Sequence, residues 1–216
     1  EIYTLSLHDA LPICQVITRI FAKDPTVWTF DTQAYPEIRN RLGWLDVHKT
    51  IEKNGPEYRE ILESLRKDGI TKALLIGMGG SSLAPEVLAL TFAGADGLRL
   101  TIIDSTDPGQ VLDADQAHPL SETVYIVSSK SGGTAEIRAL MDYFYAKAKA
   151  ELGDDAGKHF IAITDPGTLL ERTAAELRFR NIVISDPSIG GRFSVLSPFG
   201  KPGRSEERRV GKECRS

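Results

Sequence analysis

The chain has little cysteine and no long apolar run. Cys14 and Cys214 are its only cysteines among 216 residues, too few for a disulfide framework. No apolar stretch approaches the roughly 20 residues that span a bilayer, and the first residues lack the basic and then apolar order of a signal peptide. We therefore expect a soluble, cytoplasmic protein that does not engage a membrane.

An excess of positive charge is also missing. The 26 basic side chains are outnumbered by 30 acidic ones, which gives a formal net charge of -4. A general nucleic-acid binder needs a basic face that neutralises phosphates, so this charge balance argues against that class of protein. No cluster of His, Cys, Asp or Glu has the spacing of metal ligands. We expect neither a metal nor a cofactor.

The two ends of the chain are related through their coding DNA. Back-translation of residues 1–13 (EIYTLSLHDALPI) gives a duplex whose opposite strand encodes residues 204–216 (RSEERRVGKECRS). Folding constraints do not produce such a relationship, and the DNA resembles a short-read sequencing adapter. We expect both ends to be non-native tails, and Cys14 and Cys214 to carry no redox role. We also expect the gene to have been cut on both sides, which makes the chain a fragment.

Between these tails, alternating apolar segments predict one α/β domain. Residues 14–55 form a helical lead-in, whereas residues 56–203 alternate short apolar strands with helices. Pro56 suits the first turn of a helix that Gly69 ends. The predicted strands cover residues 72–77, 98–104, 123–129, 159–164 and 181–185. Such buried strands separated by helices indicate a three-layer α/β/α fold, with a five-stranded parallel sheet in the flavodoxin-like order 2-1-3-4-5.

Two loops combine glycines with hydroxyl groups. GMGGSS (residues 77–82) follows the first strand, and SSKSGGT (residues 128–134) follows the third. In an open parallel sheet of this order, ligands bind at the carboxyl ends of the strands between the first and third strands. Glycine lets backbone N–H groups approach a phosphate, and hydroxyls donate further hydrogen bonds. Composition and topology together predict a phosphate site.

Other interpretations of these loops stay open. Glycine and serine also make ordinary strand-to-helix turns and cap helices. GMGGSS fits a dinucleotide-binding loop only in part, because Ser82 stands where a third glycine belongs, although Asp104 ends the next strand as a ribose-binding acid does. A nicotinamide cofactor therefore remains an alternative. Neither loop has the glycine and lysine pattern of a P-loop, which excludes that motif.

Three ordered motifs resemble the glucose-6-phosphate isomerase family. LLIGMGGSSLAPEVL, VSSKSGGTAEI and GGRFSVLSPFG together are similar to its first sugar isomerase (SIS) subdomain. The lead-in, with RIFAKDPTVWT and RLGWLDV, resembles the isomerase half of bifunctional transaldolase/glucose-6-phosphate isomerases. The resemblance covers residues 16–200. It implies interconversion of glucose 6-phosphate and fructose 6-phosphate through a cis-enediolate, with a hexose 6-phosphate as the bound partner and a homodimer at full length.

The resemblance also implies roles for individual residues. Gly80 and Ser81 would lie against the substrate, and the Arg192 charge would stabilise the enediolate. The phosphate cradle would consist of Ser129, Lys130, Ser131 and Thr134, with Lys130 acting mainly through its backbone. The family more often carries bulkier residues where this chain has Gly132 and Gly133, and we expect that departure to loosen the loop.

The resemblance assigns the general base to a second subdomain, beyond this chain. Glu86 and Glu136 follow the two loops, but both fall in first turns of helices, where acids complement the helix dipole. His48, His118 and His159 pair with no nucleophile, and we expect surface or capping roles for them. The chain is thus expected to bind a sugar phosphate without turnover. A noncatalytic SIS module that senses sugar phosphates is the alternative function.

Overall fold

A five-stranded parallel sheet forms the centre of the protein. The computed structural model describes residues 15–91 and 97–200; both predicted tails lie outside these ranges. The strands are β1 (Lys72–Gly77), β2 (Arg99–Ile103), β3 (Thr123–Ser128), β4 (Phe160–Thr164) and β5 (Asn181–Ile184). They are ordered β2-β1-β3-β4-β5, and all pairs are parallel. The predicted fold class and strand order are confirmed.

Helices connect the strands and cover both faces of the sheet. Residues 15–21 belong to α1, and the other α-helices of the described residues are α2 (Tyr35–Arg39), α3 (Val47–Lys67), α4 (Leu83–Thr91), α5 (Pro108–Ala117), α6 (Ala135–Leu152) and α7 (Leu169–Glu176). Two short 3-10 segments matter for the site, Gly79–Ser81 after β1 and Gly191–Leu196 after β5. Within the described residues, none of these helices has both the length and the apolar character to span a bilayer.

Side chains of alternate residues along each strand fill two separate apolar layers. On β1, Leu74 and Ile76 pack with the inner sides of α6 and α7, whereas Ala73 and Leu75 pack with α3 and Phe199. All four β1 side chains are fully buried. Burial on both faces explains why the strands are continuous apolar runs without polar alternation.

Helix α3 differs in one detail from the sequence-based prediction. Pro56 was predicted in the first turn of a helix, but α3 starts at Val47 and Pro56 lies inside it. An interior proline removes one main-chain hydrogen bond, at a cost of roughly 3 kcal/mol. Buried side chains at both ends of the helix, Val47 before the proline and Leu62 and Leu65 after it, give the packing that offsets this cost. The division of the chain at residues 55 and 56 stays a prediction, and α3 crosses it.

Arg180 fastens α3 to the amino end of β5. Its guanidinium donates to Ser64 Oγ at 2.8 Å and to Asp68 Oδ2 at 2.5 Å, both on the last turn of α3 or just after it. It also donates to the Lys158 carbonyl at 2.7 Å, before β4. One planar cation thus links three segments that are far apart in the chain.

Candidate functional site

The two loops rich in glycine and hydroxyl groups lie side by side. β1 pairs directly with β3, and their last residues, Gly77 and Ser128, are partners in the register. The loop after β1 and the loop after β3 therefore leave the same edge of the sheet from neighbouring strands. Residues 129–134, after β3, are called the phosphate loop here, after the ligand that the sequence predicts. The predicted switch point of the strand order is present at this edge.

The loop after β1 is a tight turn built around Gly79. Gly79 has φ +58, a left-handed conformation that favours glycine, and it begins the 3-10 segment Gly79–Ser81. Ser82 is buried and its Oγ donates to the Gly79 carbonyl at 3.0 Å, so this hydroxyl closes the turn. Ser81, by contrast, makes no side-chain hydrogen bond with a described residue. Its hydroxyl is thus available to a ligand.

Hydroxyl groups within the phosphate loop organise its backbone. Ser129 Oγ is buried and accepts the Gly132 N–H at 3.1 Å, and the exposed Ser131 Oγ accepts the Gly133 N–H at 3.3 Å. A hydroxyl that accepts a hydrogen bond still has its own proton to donate. Thr134 is the N-cap residue of α6 and its side chain does not bond to the helix. Three hydroxyls thus remain able to donate to an anion at the start of α6.

Gly132 packs closely against the turn before α7. It has φ +66, and a Cβ at this position would come within 2.7 Å of the Thr168 Cβ and 2.9 Å of the Leu170 nitrogen. Thr168 is itself fixed, because its Oγ1 is 2.8 Å from Thr164 Oγ1 and accepts the Glu171 N–H. Glycine at 132 therefore has a packing role that the expectation of a loosened loop did not include.

The side chain of Lys130 reaches an acid at the end of the neighbouring strand, β4. Its Nζ forms an ion pair with Asp165 Oδ2 at 2.6 Å, just beyond the end of β4. The Lys130 carbonyl also accepts the Asp165 N–H at 3.3 Å. The ammonium is engaged in this pair, and a role of the Lys130 backbone toward a phosphate stays a prediction.

A third segment, Gly191–Leu196, reaches the same edge after β5 and carries Arg192. A Cβ at Gly80 would meet the Gly191 carbonyl oxygen at 2.6 Å, so the β1 loop and this segment are in direct backbone contact. Ser194 Oγ donates to the Gly191 carbonyl at 2.6 Å and shapes the turn. Arg192 is exposed and forms no hydrogen bond or ion pair with any described residue. Arg192 thus directly follows a residue whose backbone contacts the predicted substrate loop, and its guanidinium has no partner among the described residues.

A family model described as phosphoglucose isomerase matches residues 62–204, about two thirds of the chain. The chain belongs to the phosphoglucose isomerase family. Among curated relatives, it is 34% identical to a glucose-6-phosphate isomerase of Thermus thermophilus over 169 residues, which are 76% of this chain and 39% of that protein. A glucose-6-phosphate isomerase of Geobacter sulfurreducens is 42% identical over 132 residues, 59% of this chain and 25% of that protein. The chain thus spans well under half the length of these relatives.

Solved structures agree on the fold. A hypothetical protein of Thermus thermophilus superimposes with a TM-score of 0.74 and 28% identity, over 89% of this chain and 43% of that chain. A glucose-6-phosphate isomerase of Chlamydia trachomatis gives 0.63 and 24% identity, over 86% of this chain and 33% of that chain. The parallel sheet described above is thus shared with the phosphoglucose isomerase family.

The structure places the acids and histidines for which structural roles were expected, and His48 is an exposed residue of α3. Glu86 and Glu136 lie in the first turns of α4 and α6 and are exposed. His118 Nδ1 is 2.6 Å from the Ala114 carbonyl, and His159 Nδ1 is 3.0 Å from the Thr123 carbonyl. Over residues 15–91 and 97–200, no group of three or more His, Cys, Asp and Glu is arranged to hold a metal ion.

Two residues of this edge were missed from the sequence. Asp165 was not singled out, although an acid directly after an apolar strand of a parallel sheet stands at the edge where ligands bind. Gly191 was quoted only as part of the Arg192 motif, and its contact with Gly80 joins segments more than a hundred residues apart. No local pattern encodes that contact.

Proposed function

We propose that this chain supplies the sugar-phosphate-binding part of a glucose-6-phosphate isomerase site. The observation that carries the proposal is the pairing of Gly77 with Ser128, which puts two glycine and hydroxyl loops together in a phosphoglucose isomerase family member. In this proposal Ser129, Ser131 and Thr134 donate hydroxyls to the phosphate, and the Lys130 backbone adds its N–H. Gly80 and Ser81 contact the sugar. Residues 56–203 are the proposed SIS domain, preceded by the lead-in.

We propose that Arg192 stabilises the negative charge that develops during the reaction. Isomerisation opens the sugar ring, removes the C2 proton and returns a proton to C1, so negative charge develops on an enediolate. An arginine that is preorganised beside the reacting carbons stabilises that charge where it develops. Two observations support this role: Arg192 directly follows Gly191, whose carbonyl contacts Gly80, and its guanidinium has no partner among the described residues. This chain matches 39% of the Thermus thermophilus relative. We propose that the general base belongs to the part of the isomerase outside that match.

Isothermal titration calorimetry with glucose 6-phosphate tests the proposal. We expect saturable binding, no binding of glucose, and weaker binding after Ser131→Ala or Thr134→Ala. An isomerase assay of the same chain is expected to give no turnover. Turnover that is lost with Arg192→Met would mean that a base is present, whereas the absence of binding at millimolar glucose 6-phosphate would refute the proposed site.

Two other functions make different predictions, one for turnover and one for ligand binding. A noncatalytic sugar-phosphate sensor predicts binding with no turnover, even when the region found only in the longer relatives is added as a second chain. Dinucleotide binding predicts tight NADH binding that glucose 6-phosphate does not displace. The buried Ser82, whose Oγ closes the Gly79 turn, occupies the position where a dinucleotide loop has glycine. We propose a cytoplasmic location and a dimer for the full-length protein, as in the expectation above.

A further inference from the structure

Lys130 and Asp165 hold each other through both side chain and main chain. The Lys130 Nζ is 2.6 Å from Asp165 Oδ2, and the Asp165 N–H donates to the Lys130 carbonyl at 3.3 Å. The two side chains are only 27% and 15% exposed. A pair with this much burial has a more defined geometry than the exposed ion pairs elsewhere on the surface.

The ammonium of Lys130 is the compensating charge for Asp165. The second oxygen, Asp165 Oδ1, is buried and accepts no hydrogen bond from a described residue. Removing the ammonium would leave a largely buried carboxylate without its cation, which is strongly unfavourable. The charge of Lys130 is therefore directed at Asp165 rather than at a ligand of the phosphate loop.

The same ammonium reaches the chain that leads to Arg192. Lys130 Nζ donates to the Pro187 carbonyl at 3.4 Å, a long contact between the phosphate loop and the segment after β5. The next carbonyl, that of Ser188, accepts the Gly43 N–H at 3.0 Å. The carbonyls of residues 187 and 188 thus accept hydrogen bonds from Lys130 and from the lead-in.

Trp44 reports on this region. Its ring stacks on Phe193 with centroids 5.6 Å apart, and Phe193 directly follows Arg192. Gly43, which bonds to Ser188, directly precedes Trp44. A displacement of the segment after β5 will therefore change the environment of the Trp44 ring.

We propose that Lys130 is a positioning residue that couples the phosphate loop to the segment carrying Arg192. Through Asp165 it fixes the loop that receives the phosphate, and through the Pro187 carbonyl it fixes the chain that delivers the guanidinium. Occupation of the phosphate loop then sets the position of Arg192. This inference rests on the proposed function, because it assigns a role within the same site.

A set of variants with one reporter tests the coupling. The chain has two tryptophans, so Trp28→Phe gives a parent in which Trp44 is the only tryptophan, and excitation selective for tryptophan reports on it. Lys130→Met removes the ammonium, and Lys130→Arg keeps a cation that reaches Asp165. Lys147→Met is the matched control, because Lys147 pairs with Asp115 at 2.5 Å with 36% and 16% exposure. That pair joins α5 and α6, away from Pro187 and the phosphate loop.

The proposal predicts a specific pattern. Glucose 6-phosphate changes Trp44 emission in the parent, in the Lys147→Met control and in Lys130→Arg. In Lys130→Met the emission change is lost and glucose 6-phosphate binds about tenfold more weakly. Without ligand, amide hydrogen exchange of residues 187–196 is faster in Lys130→Met than in the parent and unchanged in Lys147→Met.

Two results overturn the proposal. One is a Lys130→Met protein that keeps the Trp44 response and binds glucose 6-phosphate within twofold of the parent. The other is unchanged exchange of residues 187–196 in that variant. If the parent does not bind glucose 6-phosphate, the proposed function fails separately, and the exchange comparison without ligand still decides whether Lys130 holds the segment.

Discussion

Gly80 and Gly191 touch through their backbones: a Cβ on Gly80 would stand 2.6 Å from the Gly191 carbonyl oxygen. This contact brings the loop after β1 against the segment that carries Arg192. Two loops that are remote in the chain thus pack together at the candidate site. Their close approach depends on the absence of a side chain at residue 80.

Gly80→Ala is expected to push the two segments apart. Overpacking of this kind costs about 1–3 kcal/mol of unfolding free energy, and we expect glucose 6-phosphate affinity to fall with it. Gly191→Ala is the matched control, because its Cβ would meet nothing within 4 Å, and it should change stability by less than about 0.5 kcal/mol. Urea unfolding and calorimetry measure both. Equal stability losses in the two variants would contradict the contact.

Gly132→Ala should destabilise the phosphate loop for two reasons. Its φ of +66 is unfavourable for alanine, and its Cβ would approach the Thr168 Cβ within 2.7 Å. Together these effects predict a loss of about 2–4 kcal/mol in unfolding free energy. Gly133→Ala serves as the comparison, since its Cβ would point into open space. Thermal and urea unfolding measure the stability of both variants. Equal losses of unfolding free energy would rule out close packing of Gly132 against Thr168.

Two serines of the phosphate loop should separate stability from binding. Ser129→Ala leaves the Gly132 N–H without its acceptor, so it should cost about 1 kcal/mol of stability as well as ligand affinity. Ser131 is exposed, so Ser131→Ala should weaken ligand binding with little change in the free energy of unfolding. Urea unfolding and calorimetry of both variants check this. If both variants bind glucose 6-phosphate as tightly as the parent, the Ser129 and Ser131 hydroxyls do not contact the phosphate.

Arg180→Met should weaken the link between α3 and the sheet in a pH-dependent way. The hydrogen bond from Arg180, followed by its charge, lowers the pKa of Asp68 below its usual value of 3.8. A carboxyl with a lowered pKa stabilises the fold above the unfolded pKa, and that contribution is lost as pH falls through the folded pKa. The difference in unfolding free energy between parent and variant should therefore be largest near neutral pH.

Below the usual Asp68 pKa of 3.8, that difference should shrink toward the part supplied by Ser64 and the Lys158 carbonyl. Urea unfolding at a series of pH values measures it. A difference that stays constant from neutral pH to about pH 3 would mean that the Asp68 pair contributes nothing.

The fold was predictable where local chemistry and packing agree. The apolar runs of β1 and β3 are buried on both faces, so they are recognisable as parallel strands, and their order follows the common arrangement. Pro56 was misjudged because its usual preference for a first turn is overridden by packing at both ends of α3. Tertiary contacts can outweigh such a preference, and one sequence does not reveal them.

The site was predictable in composition and less so in geometry. The hydroxyls and glycines of the phosphate loop are visible in the sequence, as is its position after β3. The direction of the Lys130 side chain depends on Asp165, which is 35 positions away, and on Pro187, which is 57 positions away. Such long-range pairs are set by the strand order and the loop lengths together.

We propose that a hexose 6-phosphate binds between the loops after β1 and β3, beside the segment that carries Arg192. An amide NMR titration of the chain with glucose 6-phosphate tests it most directly. We predict saturable shifts confined mainly to residues 79–82, 129–135 and 191–193, and no such shifts with glucose. Saturable shifts elsewhere with these residues unaffected, or no shifts at millimolar glucose 6-phosphate, would contradict it.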